Sequence, residues 1–338
     1  MIVFRTDASA DIGLGHFSRC LAFASAFSCT ATWASVGLPV ALQKGLQKAG
    51  HLYIEIPAGL SPEEDANFVF SHLAETPHLV VLDHYKLGLE WETLVPGKTA
   101  LFIFEDEPSR PHDGAFLLDQ NRGTDANIYR DWVPPSCRCL IGLSFCMIRS
   151  EVVAVRNARD RQGDCKNILV NFGGAGWHSE IEKALDAIQQ WGRSDFQVRV
   201  VFGGDFNQNQ AIRNQFSAPW ISYIDRVDHM ADHWAWADLA LGAGGVSSLE
   251  RCCVGLPALV TVLADNQAPL VGVLAAGGAQ INLGRQSSVN AETYLQALKG
   301  LSRSTLLEMS DCGRNLVDGL GARRVVEIVN KQLQTSKV

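Results

Sequence analysis

The chain has 338 residues, 47% of them hydrophobic and 19% charged, a balance that allows two or three packed domains and excludes a disordered polymer. Its net charge of −7 argues against sequence-independent nucleic-acid binding, which needs a basic surface. An anion held locally by backbone N–H groups stays possible. The longest apolar run, residues 256–264, is about half of what a membrane span requires, and the first residues lack the basic-then-apolar pattern of a secretory signal. We expect a cytoplasmic protein with no membrane or nucleic-acid partner. Its nine cysteines include no C-x-x-C pair, so they are expected to be reduced, mostly small buried hydrophobes, with no metal site among them.

In chain order, β-rich runs at 2–5, 30–35, 52–56, 79–83, 100–105 and 115–118 alternate with helical patterns at 17–27, 40–49, 62–74 and 87–94. Strands alternating with helices predict parallel βαβ units. Residues 120–165 break the rhythm with Pro134-Pro135 and a polar stretch, and read as an interdomain segment. Alternation resumes with strands at 167–172, 197–202, 221–224, 238–241, 258–262 and 280–282. The helices between and after them fall at 179–191, 208–216, 229–236, 247–254, 268–276 and 291–298. The tail from 304 to 334 reads as helical, interrupted at Gly319–Gly321. The expected fold is α/β: two doubly wound Rossmann-like domains, 1–150 and 151–338, facing a cleft. In such sheets ligands sit beyond the carboxyl ends of the strands.

Six strand-to-helix turns carry chemistry. Gly13-Leu14-Gly15-His16 lets backbone approach a ligand. It lacks the third glycine and the later acid of a dinucleotide fingerprint, which disfavours a nicotinamide cofactor. A histidine at a helix N-terminus is disfavoured as imidazolium and so suits a general base, though local packing would also account for it. Asp83-His84-Tyr85 ends a buried strand, as a ligand contact or as a helix cap. Glu105-Asp106-Glu107 could hold Mg²⁺ but reads more simply as a solvated turn. Gly173-Gly174 is a second glycine turn. Gly242–Glu250 is the densest: Gly244, Gly245 and Ser247 could cradle a diphosphate, and Glu250 could accept ribose hydroxyls. Asn266 and Gln267 offer donors and acceptors to a sugar.

These motifs together resemble the UDP-2,4-diacetamido-2,4,6-trideoxy-β-L-altropyranose hydrolases of pseudaminic acid biosynthesis. The likeness rests on Arg5-x-Asp7, Gly13-x-Gly15-His16-x-x-Arg19-Cys20, Asp83-His84-Tyr85, Arg110-x-His112-Asp113 and Leu118-Asp119-Gln120-Asn121. It continues through Phe172-Gly173-Gly174, Gly242-x-Gly244-Gly245-x-Ser247-x-x-Glu250-Arg251-Cys252, Gly255-Leu256-Pro257 and Ala264-Asp265-Asn266-Gln267. The resemblance implies a fold like that of the two-domain, B-type glycosyltransferases. It also implies inverting hydrolysis of the anomeric bond to UDP without a metal or other cofactor. His16 would be the catalytic base, with substrate held by Asp7, Gly15, Tyr85, Gly173, Gly174, Gly244, Gly245, Ser247, Glu250, Asn266 and Gln267. The alternatives are a glycosyltransferase, a hydrolase of another nucleotide-linked deoxy sugar, a UDP-sugar 2-epimerase or a non-enzymatic sugar-nucleotide binder.

Overall fold

The structure, a computed structural model, describes residues 1–335 except 9–12, 28, 122, 124, 159–164, 175, 194, 204–205, 226 and 228–229. It divides into two compact units, the first running from Met1 to Arg149 and resuming at Leu320, the second spanning Ser150–Gly319.

In the first unit seven strands form one sheet: β1 (Ile2–Thr6), β2 (Thr32–Ser35), β3 (Leu52–Glu55), β4 (Leu79–Asp83), β5 (Ala100–Phe104), β6 (Phe116–Asp119) and β7 (Arg138–Ile141), in the order 3-2-1-4-5-6-7. Every pairing is parallel. β1, β4 and β6 are buried along their whole length, which is why they read as continuous apolar runs rather than alternating ones. One face packs on the helix Gly15–Phe27, where Phe23 meets Phe102 and Phe4 stacks on Trp33. The last helix, Gly321–Thr335, joins that same core through Ala322, Val325, Val326 and Val329. The expected second domain therefore loses its final helix to the first unit. Gly321 makes this docking possible, since a Cβ there would lie 2.2 Å from the Cys146 carbonyl oxygen.

The second unit holds six strands: β8 (Asn167–Asn171), β9 (Gln197–Val201), β10 (Ile221–Ile224), β11 (Leu239–Ala243), β12 (Ala258–Val262) and β13 (Ile281–Arg285), ordered 10-9-8-11-12-13 and again all parallel. Its core is built from Ile168, Val170, Val198, Val200, Leu241 and Leu259 with helix residues such as Ile181, Leu185 and Leu298.

Both sheets reverse their winding direction once, between β1 and β4 and between β8 and β11. Crevices beyond the carboxyl ends at such reversals are where doubly wound sheets bind ligands. In the first unit those two strands run into Gly13–His16 and Asp83–Tyr85, in the second into Gly173–Gly174 and Gly242–Ser247.

Candidate active site

His16 is the second residue of its helix and is buried. Its Nδ1 lies 2.5 Å from Oδ1 of Asp83, the last residue of β4. Arg19, one helical turn on, grips the same carboxylate in a fork, Nε to Oδ2 and a terminal nitrogen to Oδ1, both at 2.6 Å. A terminal nitrogen of Arg19 also lies 3.2 Å from Nδ1, but the far shorter contact is to a carboxylate, which only accepts, so His16 donates from Nδ1 and in the neutral ring the lone pair falls on Nε2. Nε2 makes no hydrogen bond to any described residue. Burial works against ionisation of Asp83, but Arg19 and His16 more than offset it and hold the carboxyl well below the usual range.

The second guanidinium nitrogen of Arg19 donates to Asp106 Oδ1 at 2.5 Å. Asp106 also accepts from Asn121 Nδ2 at 2.6 Å and from the Tyr85 hydroxyl at 2.5 Å. Tyr85 stands edge-on to the His16 ring with centroids 4.4 Å apart, and is itself 48% exposed. An open aromatic face beside a buried histidine is a surface on which the apolar face of a sugar ring can stack.

The carbonyls of His84 and Tyr85 are held by Arg110, at 2.9 and 2.6 Å, and Arg110 is held in turn by Glu105. Glu105 accepts from His112 Nε2 at 3.0 Å, while His112 Nδ1 faces Glu92 Oε1 at 2.7 Å. Burial works against the imidazolium of His112, but Glu105 and Glu92 outweigh it and raise the ring to about 9. The reading of Glu105-Asp106-Glu107 as a solvated turn is therefore wrong for its first two members. Both are buried and committed to cations, and only Glu107 is exposed. Glu105 finds Arg110 five residues on, but the Arg19 that pairs with Asp106 lies 87 residues away, invisible to a local reading.

Asp7, expected among the substrate contacts, has both oxygens engaged. Oδ1 accepts from Arg5 and the Val36 amide, Oδ2 from His84 Nε2 at 3.0 Å. His84 Nδ1 accepts from the amides of Lys86 and Leu87, which fixes that tautomer. Burial opposes ionisation of Asp7 too, and the His84 and Arg5 bonds prevail, keeping it below the usual carboxylate range. Asp7 thus anchors the His84 turn. Gly15 begins the His16 helix, partly exposed.

In the second unit β11 runs into Gly244 and Gly245. Gly245 has φ +89° and precedes the helix Val246–Cys253, with no side chain capping its first N–H groups. The Ser248 amide bonds back to the Gly245 carbonyl at 2.9 Å, and the amides of Val246 and Ser247 ahead of it, together with the helix dipole, favour an anion. A Cβ on Gly244 would lie 2.6 Å from Val271 and 3.0 Å from Gln267, so the turn sits tight against the Gln267 segment. Gln267 Oε1 accepts the Leu263 amide at 3.0 Å, folding onto its own turn, while Asn266 is exposed. Gly173, at φ +88°, and Gly174 leave open space where side chains would stand. The register pairing Gly242 with Asn171 puts them beside the β11 turn. Ser247 is half-buried in the first turn of that helix, and Glu250 is buried with its Oε2 3.3 Å from Trp234 Nε1. The next residue, Arg251, is 1% exposed; burial pulls its guanidinium down to about 10. Sequence reasoning gave Arg251 no role.

Among the described residues no cluster of three metal-ligating side chains occurs, and no helix is long and apolar enough to cross a membrane. No disulfide joins any two of the nine cysteines; five are buried, three half-buried and Cys29 is exposed.

Residues 167–293 match the glycosyltransferase family 28 C-terminal domain. The chain is 31% identical over 204 residues to the spore coat polysaccharide biosynthesis protein SpsG of Bacillus subtilis, covering 59% of this chain and 60% of that one. It is 30% identical over 177 residues to the UDP-2,4-diacetamido-2,4,6-trideoxy-β-L-altropyranose hydrolase of Campylobacter jejuni, covering 51% and 60%. The matched region thus spans about three-fifths of the length of each relative. Among solved structures, MurG of Acinetobacter baumannii superposes with a TM-score of 0.68 at 18% identity, covering 98% of this chain and 99% of that one. At that identity the likeness speaks for the fold. The chain has the two-domain, parallel-sheet α/β architecture of the B-type glycosyltransferases, and it is related in sequence to an enzyme named for chemistry on a UDP-linked sugar.

Proposed function

We propose that this protein is an inverting hydrolase of a UDP-linked 2,4-diacetamido-2,4,6-trideoxy sugar, the altropyranose being the first candidate. The reading rests above all on the His16–Asp83 pair, whose Nδ1–Oδ1 bond leaves Nε2 without a bond to any described residue, beside the half-exposed Tyr85. A carboxylate that fixes the tautomer and steadies the developing imidazolium is the usual support of a catalytic histidine. In the proposed reaction a water gives its proton to Nε2 as its oxygen bonds the anomeric carbon. The bond from that carbon to the diphosphate oxygen breaks, and its electron pair leaves with UDP. Attack from the face opposite the leaving group inverts the anomeric centre.

UDP leaves readily, because the second pKa of a released phosphate is about 6, so the reaction places little demand on a general acid. The glycine turn Gly244–Gly245 and the uncapped helix start are the features suited to the charge that develops on the diphosphate. Glu250 would take ribose hydroxyls, with Gly173, Gly174, Ser247, Asn266 and Gln267 completing the substrate contacts and Gly15 lining the approach to His16. The reading needs no cofactor and places the protein in the cytoplasm, acting on a small molecule.

The second reading is a glycosyltransferase, favoured by the match of residues 167–293 to a transferase domain. It uses the same base and diphosphate features, with an acceptor hydroxyl in place of water. Incubation with the UDP-sugar alone separates the two: a hydrolase releases UDP at once, a transferase releases it only after acceptor is added.

A further inference from the structure

Arg251 carries a charge buried in the second unit. It is buried to 1% exposure, yet among the described residues no carboxylate lies within ion-pair distance, and its Nε and one terminal nitrogen have no hydrogen-bond partner. The other terminal nitrogen donates to the Ala243 carbonyl and to the Ser248 hydroxyl, each at 2.7 Å. Those contacts seat the guanidinium against the residue that precedes Gly244 and against the first turn of the helix that follows. Gly242 makes the room: a Cβ there would come 3.3 Å from the unpartnered nitrogen and 2.4 Å from the Asn171 carbonyl oxygen. Trp234 offers its ring face, 5.8 Å from the guanidinium carbon. Cys252 and Glu250 favour its charged form, but neither makes an ion pair or hydrogen bond with it.

A buried cation left short of partners destabilises a fold unless something compensates it. Here it lies directly behind a glycine turn and a helix start whose own N–H groups are uncapped. We propose that Arg251 is the built-in counter-charge of an anion site at the Gly244–Ser247 turn, drawing a diphosphate through the turn by its field rather than by touching it. Low-dielectric surroundings let a fixed charge act over such a distance. The inference rests on the diphosphate reading of that turn, but not on the hydrolysis.

The test pairs binding with stability for Arg251→Met and Arg251→Lys. Calorimetry measures affinity for UDP and for inorganic pyrophosphate, ligand-observed NMR measures uridine, and thermal melts follow the ligand-free protein. Arg251→Met is expected to weaken UDP and pyrophosphate by about tenfold or more, leave uridine within about twofold, and leave the melting temperature unchanged or raised. Arg251→Lys, which keeps the charge, is expected to stay within about threefold of wild type for pyrophosphate; this arm decides the matter if the methionine variant does not fold. UDP affinity unaltered in Arg251→Met would overturn the proposal. So would a parallel loss of uridine and of stability, or a lysine variant as weak as the methionine one. Wild type that binds neither UDP nor pyrophosphate removes the diphosphate reading along with it. Wild type that binds pyrophosphate through Arg251 but leaves the UDP-sugar intact keeps this inference and removes the hydrolase.

Discussion

The turns after β1 and after β11 handle charge in opposite ways. Around His16 every buried ion has a partner: Arg5 with Asp7 and Asp65, Arg19 with Asp83 and Asp106, His112 between Glu92 and Glu105. Around Gly244 the buried Arg251 has no carboxylate partner among the described residues and two of its nitrogens are unbonded, and the helix start has no side-chain cap. Saturated networks hold side chains in one arrangement, which suits a base that must face one atom. An unsaturated site is complete only with its ligand, which suits a leaving group that brings negative charge. On the proposed reading the first region positions the base and the second receives the diphosphate.

The sharpest way to break that contrast is at His16. Replacement by Phe is expected to lower UDP-sugar turnover by about 10²–10⁴-fold and to leave UDP affinity near wild type by calorimetry; loss of UDP binding would contradict the division of labour. Next in size is Asp83→Asn, which leaves Arg19 with one carboxylate fewer in a fully buried setting. It should lower stability in urea denaturation by about 3 kcal/mol, and turnover with it, since the His16 tautomer loses its anchor.

His112 supplies a pH signature. In the fold it titrates at about 9, against about 6.5 in an unfolded chain, so the folded protein binds a proton that the unfolded chain releases first. Its contribution is complete below pH ~6.5 and is lost as the pH rises through about 9, on the order of 3 kcal/mol. Thermal melts of wild type should decline across that window, and those of His112→Gln should not. A flat wild-type profile would mean that the Glu92–His112–Glu105 chain does not hold the Tyr85 turn.

Gly245→Ala places a Cβ at φ +89° and should cost about 1–2 kcal/mol of stability, with a matching loss of pyrophosphate affinity and no change at His16. The smallest effect is expected from Tyr85→Phe. Asp106 keeps Arg19 and Asn121, so stability should fall by about 1 kcal/mol or less. The apparent KM for the sugar should rise while UDP affinity holds.

Most of the fold was legible because fully covered parallel strands must be continuous apolar runs. β4, β10 and β12 were expected at their observed bounds, and the other predicted strands within about three residues. β7 was missed. It is four residues long, follows Pro134-Pro135, and lies at the sheet edge with Arg138 exposed, so its apolar run is only Cys139-Leu140-Ile141. The docking of Gly321–Thr335 on the first unit was equally hidden, since an amphipathic pattern shows that a helix has a buried face and not what covers it.

The site divides along the same line. His16 and the glycine turns announce themselves because backbone geometry and helix starts are local properties. The partners that give them meaning do not: Asp83 is 67 residues from His16, and His112 meets Glu92 across 20. Arg251 stood inside the densest motif, yet a lone arginine after Glu250 carries no local sign of burial. Only the packing of Gly242, Ala243 and Ser248 around its guanidinium exposes the unmet charge.

The most direct test of the central claim is a proton NMR time course of wild-type protein with UDP-2,4-diacetamido-2,4,6-trideoxy-β-L-altropyranose in EDTA. The account predicts prompt release of UDP and first appearance of free sugar with the anomeric configuration opposite to that of the substrate. An intact UDP-sugar in the presence of a protein that binds UDP, or release with retained configuration, would contradict it.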